Sequence, residues 1–233
     1  MTTKEFSDAF DIMLNSYGDF SSTLAFDEYE KSLFLTQAQE QLVIELYTGR
    51  NNKGGSFEKT EEMRASLKSL IKTSPCNNIE NLKGISKYSK FFTLPKDVLF
   101  ITYESATLDD TTAGCENGSE ILIVPTTQDE FNTVMENPFR QASERRALRL
   151  DYGTTDDDTN VVEIVTKYNI KDYTIRYLSK PTPIILADLD GLSIDDKTKT
   201  TECTLNSVLH KPILERAVLL ALSSRSIQNK SNV

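Results

Sequence analysis

The chain has 233 residues, 38% of them hydrophobic, a mean hydropathy of −0.38, and 35 acidic against 26 Lys and Arg side chains, for a net charge of −9. A chain of this length can bury roughly 70–75% of its unfolded surface, and no window approaches the ~18 uninterrupted apolar residues of a membrane helix. So acidic a surface disfavours general attraction to phosphate backbones.

In chain order, Thr3 to Asn15 carries Phe6, Phe10, Met13 and Leu14 at helical spacing, and Tyr17-Gly18-Asp19 breaks the pattern. A stronger helix is predicted over Asp27 to Tyr47, with Leu33, Phe34, Leu35, Ala38, Leu42, Val43, Leu46 and Tyr47 mostly along one face, a cap at Asp27 and a stop at Gly49. Asn51 to Gly55 reads as a flexible loop. A third helix is predicted from Thr60 through Leu67, Leu70 and Ile71 to a stop at Ser74-Pro75. Near residue 88 the composition turns to β-favouring runs: Phe91 to Pro95, Val98 to Tyr103, Ile121 to Pro125, Arg145 to Tyr152, Val161 to Val165 and Tyr173 to Leu178. Thr107 to Ser119 reads as a loop, Thr126 to Phe131 as a short capped helix and Asn137 to Arg140 as a turn. An acidic connector, Leu189 to Glu202, leads to a last helix over Leu205 to Leu222, with Pro212 in its first turn or at a kink. Ser223 to Val233 has almost no apolar content and reads as a mobile tail.

Helices, then strands, then a helix suggest α+β. The expected architecture is a helical bundle of N- and C-terminal helices with an inserted antiparallel β-rich domain. Its divisions fall at 1–88 (bundle), 89–188 (β-rich insertion), 189–222 (connector and last bundle helix) and 223–233 (tail).

Signals for chemistry are weak. Acid–base and nucleophilic catalysis most often use histidine, and the single one, His210, stands at a helix start with no neighbouring Ser, Cys or Asp motif, so it reads as a capping or packing residue. No G-x-S-x-G, Walker or G-x-G-x-x-G motif occurs. Asp188-Leu189-Asp190-Gly191 with Asp195-Asp196 could offer oxygens to a hard cation, but it lacks the alternation, glycine and final glutamate of an EF-hand loop and reads as a solvated acidic loop. Asp156-Asp157-Asp158 reads as a turn tip. Cys76, Cys115 and Cys203 are widely separated and odd in number, so they read as free thiols of a reducing compartment. The polar opening Met-Thr-Thr-Lys-Glu-Phe-Ser-Asp is unlike a secretory leader. No catalytic, cofactor-binding or metal-ligating residue is assigned.

Arg140, Arg145, Arg146 and Arg149 form the one cationic strip, beside Glu144 and Asp151. It could pair with acidic surfaces of an adjacent subunit or form ordinary surface ion pairs, with DNA phosphates a third possibility.

Three segments carry a family resemblance: Glu30-Lys31-Ser32-Leu33-Phe34-Leu35-Thr36-Gln37-Ala38-Gln39, the run Tyr173 to Leu186 through Lys180-Pro181-Thr182-Pro183, and His210-Lys211-Pro212-Ile213-Leu214-Glu215-Arg216-Ala217-Val218-Leu219-Leu220-Ala221. In order and local wording they resemble the head-to-tail connector, or ring, proteins of tailed bacteriophages, most of all those of crAss-like phages. The resemblance implies a non-enzymatic virion protein without cofactor or membrane contact, assembled in the host bacterial cytoplasm. It implies a ring, commonly twelvefold, that joins the portal to the next ring or tail component and lets DNA pass non-specifically through its lumen. An acidic lumen would let DNA slide without sticking. The competing expectations are a metal-dependent phosphoryl-transfer enzyme using Asp188, Asp190 and Asp195, and a monomeric host-takeover protein that binds another protein.

Overall fold

The computed structural model describes residues 1–17, 25–50, 61–80, 82–155 and 159–231, with side chains described as far as Ser224. The Gly18-Asp19 break, the Asn51 to Gly55 loop and the Asp156-Asp157-Asp158 turn tip lie outside these residues. The backbone divides into two compact units, residues 1–70 with 180–233, and residues 71–179.

The first unit is helical. Thr3–Ser16 (α1) opens on a capping box: the Thr2 hydroxyl accepts from Glu5 N–H and the Glu5 carboxylate accepts from Thr2 N–H. Its buried residues Phe6, Phe10 and Leu14 recur every four positions. Glu28–Thr48 (α2) opens on a second capping box between Asp27 and Glu30, and Gly49 ends it at φ 77°, a left-handed position that suits glycine. Glu61–Leu67 (α3) is short, and His210–Ser231 (α5) closes the unit. Pro212 stands in the first turn of α5, where its missing N–H costs no helical bond. The α5 stripe buries Ile213, Leu214, Ala217, Val218 and Ala221. The backbone stays helical past Leu222 to Ser231, where the sequence predicts a tail; once nucleated by a buried stripe, a helix extends through polar residues at little cost.

On α2 the buried face is half polar: Lys31, Ser32, Thr36 and Gln39 lie buried with Leu35, Ala38 and Val43. Three of these side chains act on the extended segment 182–186. The Gln39 amide donates to Thr182 C=O (2.8 Å), the Thr36 hydroxyl accepts from Ile184 N–H (3.1 Å) and donates to Ile184 C=O (3.3 Å), and the Ser32 hydroxyl accepts from Leu186 N–H (3.0 Å). Residues 39, 36 and 32 thus meet residues 182, 184 and 186, a helical period matched to the period of two of an extended chain. Pro181 and Pro183, which have no N–H, occupy the alternate positions, and Ile185 exchanges both backbone bonds with Thr201 on the other edge. Every bond here satisfies a backbone or side-chain polar group that burial would otherwise strand.

The second unit is a closed barrel. Its strands are Ile71–Ile79 (β1), Ser89–Thr93 (β2), Val98–Leu108 (β3), Glu120–Pro125 (β4), Arg146–Thr154 (β5), Asn160–Val165 (β6) and Ile170–Ser179 (β7), with Phe131–Glu136 (α4) between β4 and β5. Around the barrel the order is β1-β2-β6-β5-β4-β3-β7, with β7 returning to β1. Six of the pairings are antiparallel, and β4 with β5 is parallel. Closure leaves no long open sheet edge to guard.

These findings correct the expected fold. The molecule is a mixed α/β protein built on a closed seven-stranded barrel, not a helical bundle with an inserted antiparallel β-rich domain. Two local misreadings underlie the difference. The end of the predicted third helix, from Ile71 to its stop at Ser74-Pro75, is instead the start of β1, which supplies the closing ladder to β7. Pro75 is tolerated because residues 71–76 ladder to β7 while the bonds to β2 fall at 77–79, so this stretch is laddered on one side. Then the residues after β4 cross over through α4 before β5 begins, which a parallel pair requires. Of the short helix predicted over Thr126 to Phe131, only Phe131 is in α4, which runs on to Glu136. The predicted Thr107 to Ser119 loop holds a 3-10 turn over Thr111–Glu116.

All seven strands send side chains into the barrel: Cys76, Phe92, Ala106, Ile121, Ala147, Val162, Ile164, Tyr173, Ile175 and Tyr177 form its main cluster. On the outer face Leu148, Leu150 and Val165 are covered by Phe131 of α4 and by Ala142.

Candidate functional site

The four arginines of the cationic strip have different surroundings. Asn137 begins a tight turn: its side-chain oxygen accepts from Phe139 N–H (2.9 Å), and its carbonyl accepts from Arg140 N–H (3.0 Å) and Gln141 N–H (2.9 Å). Arg146, half-buried at the start of β5, donates to Phe139 C=O (2.8 Å) and ties the turn to the barrel. Arg140 is exposed and its guanidinium has no ion-pair partner among the described residues. Arg145 is 82% exposed and donates from Nε and Nη2 to one Glu116 oxygen (2.9 and 2.6 Å). That contact raises the arginine and lowers the carboxyl.

Arg149 is turned the other way. By the alternation of β5 it shares a face with Ala147 in the barrel interior, and its side chain is 14% exposed. Its Nε lies 3.5 Å from Glu104 Oε1, without hydrogen-bond geometry, and Glu104 Oε2 accepts from the Tyr173 hydroxyl at 2.7 Å. Burial pushes the Glu104 carboxyl above its ordinary range, against the opposing pull of Arg149 and of the Tyr173 hydrogen bond. Burial and then the Glu104 charge push the Cys76 thiol up to about 12, far from a reactive thiolate. Tyr173 is pushed up as well, by burial and then by Glu104. Sequence reading placed Arg149 with the other arginines; strand parity with Ala147 separates it from Arg146, while Arg145, of the same parity, lies before β5 begins.

His210 is buried at the start of α5. Its Nδ1 lies 2.7 Å from the Met1 amino group, its Nε2 3.2 Å from Leu205 C=O, and its ring 5.3 Å from Phe6. Burial pulls its pKa down. The acidic loop is bound up locally. Asp188 accepts from both the N–H and the hydroxyl of Thr200 (2.7 Å each), and Asp195 pairs with Lys180 (2.9 Å). Among the described residues, no three His, Cys, Asp or Glu side chains converge as a metal site would need, and no helix is long and apolar enough to cross a membrane.

Two grooves mark the helical unit. One, of about 490 Å³, has a floor of Leu33, Phe34 and Ile194 and a rim of Glu30, Glu40 and Asp195. Phe34 is braced edge-on by Phe26 (5.6 Å), itself braced by Phe10 (6.1 Å). The other, of about 500 Å³, lies between Leu46, Met63 and Pro212 and includes Arg50 and Arg216 beside Glu45 and Glu62. What this chain offers is rigid surface: a fixed turn, a cationic strip and preformed grooves.

Comparison with known proteins identifies relatives over nearly the whole chain. The family described as "Phage tail ring protein 3/4" matches residues 1–232. Among curated proteins, the chain is 49% identical over 229 residues to "Ring protein 3" of Bacteroides phage crAss001, covering 97% of each chain. It is 30% identical over 230 residues to "Ring protein 4/5" of the same phage, covering 95% of this chain and 92% of the relative.

Proposed function

We propose, from the premise that this chain belongs to the phage tail ring protein 3/4 family, that it is a non-enzymatic structural protein of the virion that closes into a homo-oligomeric ring, twelvefold, at the portal vertex. The ring joins the portal to the next ring or tail component, and genomic DNA passes through its lumen without specific contact. Assembly takes place in the host bacterial cytoplasm. The observation that carries the reading is the end-to-end match to ring proteins over 97% of the chain. The net charge of −9 supports it, since an acidic channel repels the phosphate backbone and keeps DNA mobile.

Identical subunits close a ring through a heterologous contact, one face of each subunit meeting a different face of its neighbour. Arg140, Arg145 and Arg146 are the arginines we assign to that lateral contact, because their side chains reach the surface. Arg149 serves the same contact only indirectly, by holding β5 through Glu104.

The test is negative-stain imaging with solution mass, on the purified protein alone and mixed with the portal protein of its phage. Closed rings, or portal decorated only in the mixture, are expected, and the ring count follows from the images. A monomer that ignores the portal and is absent from purified particles overturns the reading.

A further inference from the structure

Resting on the ring reading, we infer that the lateral contact is a knob in a groove: Phe139 of one copy enters the groove over Leu33, Phe34 and Ile194 of a second copy. Phe139 is 89% exposed, more than any other large hydrophobic side chain among the described residues. Nothing in its own unit covers it, yet the turn that carries it is fixed by the Asn137 side chain and by the Arg146 bond to its carbonyl. An aromatic presented on a fixed backbone is an anchor that has only its side-chain rotamers left to lose on docking.

Charge selects the groove. Arg140, next to the knob in sequence, has no ion-pair partner among the described residues, and Arg146 bonds the Phe139 carbonyl, so two cations stand by the knob against Glu136; Arg145 is taken up by Glu116. The rim of the first groove carries Glu30, Glu40 and Asp195, and among the described residues Lys180 alone offsets them by bridging Glu40 (3.1 Å) and Asp195 (2.9 Å), so that rim is net negative. The second groove balances Arg50 and Arg216 against Glu45 and Glu62, and so offers a cationic knob no net attraction. The groove, of about 490 Å³, is large enough to admit a benzyl side chain. The floor is preformed by the Phe10–Phe26–Phe34 chain of edge-on rings, and Leu33 is 40% exposed in the free protein. Knob and groove are different surfaces, so the contact is heterologous and propagates from copy to copy until a ring closes.

The experiment uses the full chain in a Cys115→Ser background, with Gln37→Cys at the groove rim and Glu136→Cys beside the knob, incorporated into phage particles and treated with a short bis-maleimide. Both positions are exposed in the free protein. A ladder of covalent multimers is expected with the double variant and only single, unlinked chains with either variant alone. Particles that contain the protein but give no ladder, or that give a cross-link to a different virion protein, overturn the knob-in-groove contact and leave the ring reading standing. Absence of the protein from particles that do carry the wild type's phage genome and portal overturns both. As a second readout, Phe139→Asp and Leu33→Asp should each fail to assemble alone, and mixing them should give 1:1 dimers and nothing longer, because one intact knob and one intact groove remain. Rings formed by Phe139→Asp alone would overturn the proposal.

Discussion

The two units bury polar groups in opposite ways. Inside the barrel, Glu104 and Arg149 are ionisable groups that face each other across strands, with Tyr173 as the one hydrogen-bond donor. In the helical unit α2 buries one cation, Lys31, which reaches the half-exposed Asp11 and Glu28, and beside it a neutral row, Ser32, Thr36 and Gln39, whose partners are the backbone groups of 182–186. The first arrangement holds charge that needs its opposite to stay buried. The second distributes small bonds along a segment that cannot form a regular ladder because of Pro181 and Pro183. The lesson is that the barrel is vulnerable at one pair, and the helical unit gradually along a row.

Arg149→Met tests the vulnerable pair and should have the largest effect. Removing the cation strands Glu104 in an apolar interior, at a cost of about 3 kcal/mol in thermal or denaturant unfolding at neutral pH. The loss should shrink in acid. Burial already raises the folded-state pKa of Glu104 above its unfolded value, and without Arg149 it rises further. Between the two values the folded chain holds a proton that the unfolded chain has released, so stability falls as pH rises across that window and recovers as pH drops through the folded pKa. Unfolding curves that are parallel for variant and wild type from pH 7 down to mildly acid conditions would show that Glu104 is not held by Arg149.

Thr36→Val sharpens the other half. The substitution keeps shape but removes the hydroxyl that serves both Ile184 N–H and Ile184 C=O, and about 2 kcal/mol should be lost. Amide exchange at Ile184 should accelerate while exchange in the barrel strands stays as it was. Asp27→Ala comes next, at about 1 kcal/mol, through loss of the α2 cap to Glu30 N–H; helix fraying seen by amide exchange in the first turn of α2 is the readout.

How much of this could be read beforehand depended on which force fixed each element. Helices α1, α2 and α5 were legible because Phe6, Phe10, Leu35 and Ile213 stand in helical patterns, with a cap residue, Asp27, also readable ahead of α2. Strands β3 to β7 were legible from β-branched and aromatic runs, though not their order. β1 was not, since only Cys76 is buried in it and a proline interrupts it; its ladder to β7 comes from barrel closure, which no local pattern encodes. The polar row on α2 was hidden for the converse reason. Ser32, Thr36 and Gln39 look like a solvated face until the distant segment 182–186 arrives to use them. At the cationic strip, sequence found the residues and missed that Arg149 points inward, a distinction of one residue in strand parity.

Arg145→Ala should have the smallest effect on folding. Its guanidinium is 82% exposed, and its bond to Glu116 competes with water on both sides, so the unfolding midpoint should not move measurably. The variant is useful for that reason. If Arg145 contributes to a contact between copies, the same substitution that leaves the isolated chain unchanged must weaken assembly, and the difference from wild type must be largest at low ionic strength and shrink as salt screens the arginine's own contribution. An assembly defect of constant size from low to high salt would place the binding energy in the apolar part of the contact and not in the arginines. Arg149→Met, by contrast, should impair folding and assembly together, and acid should relieve both.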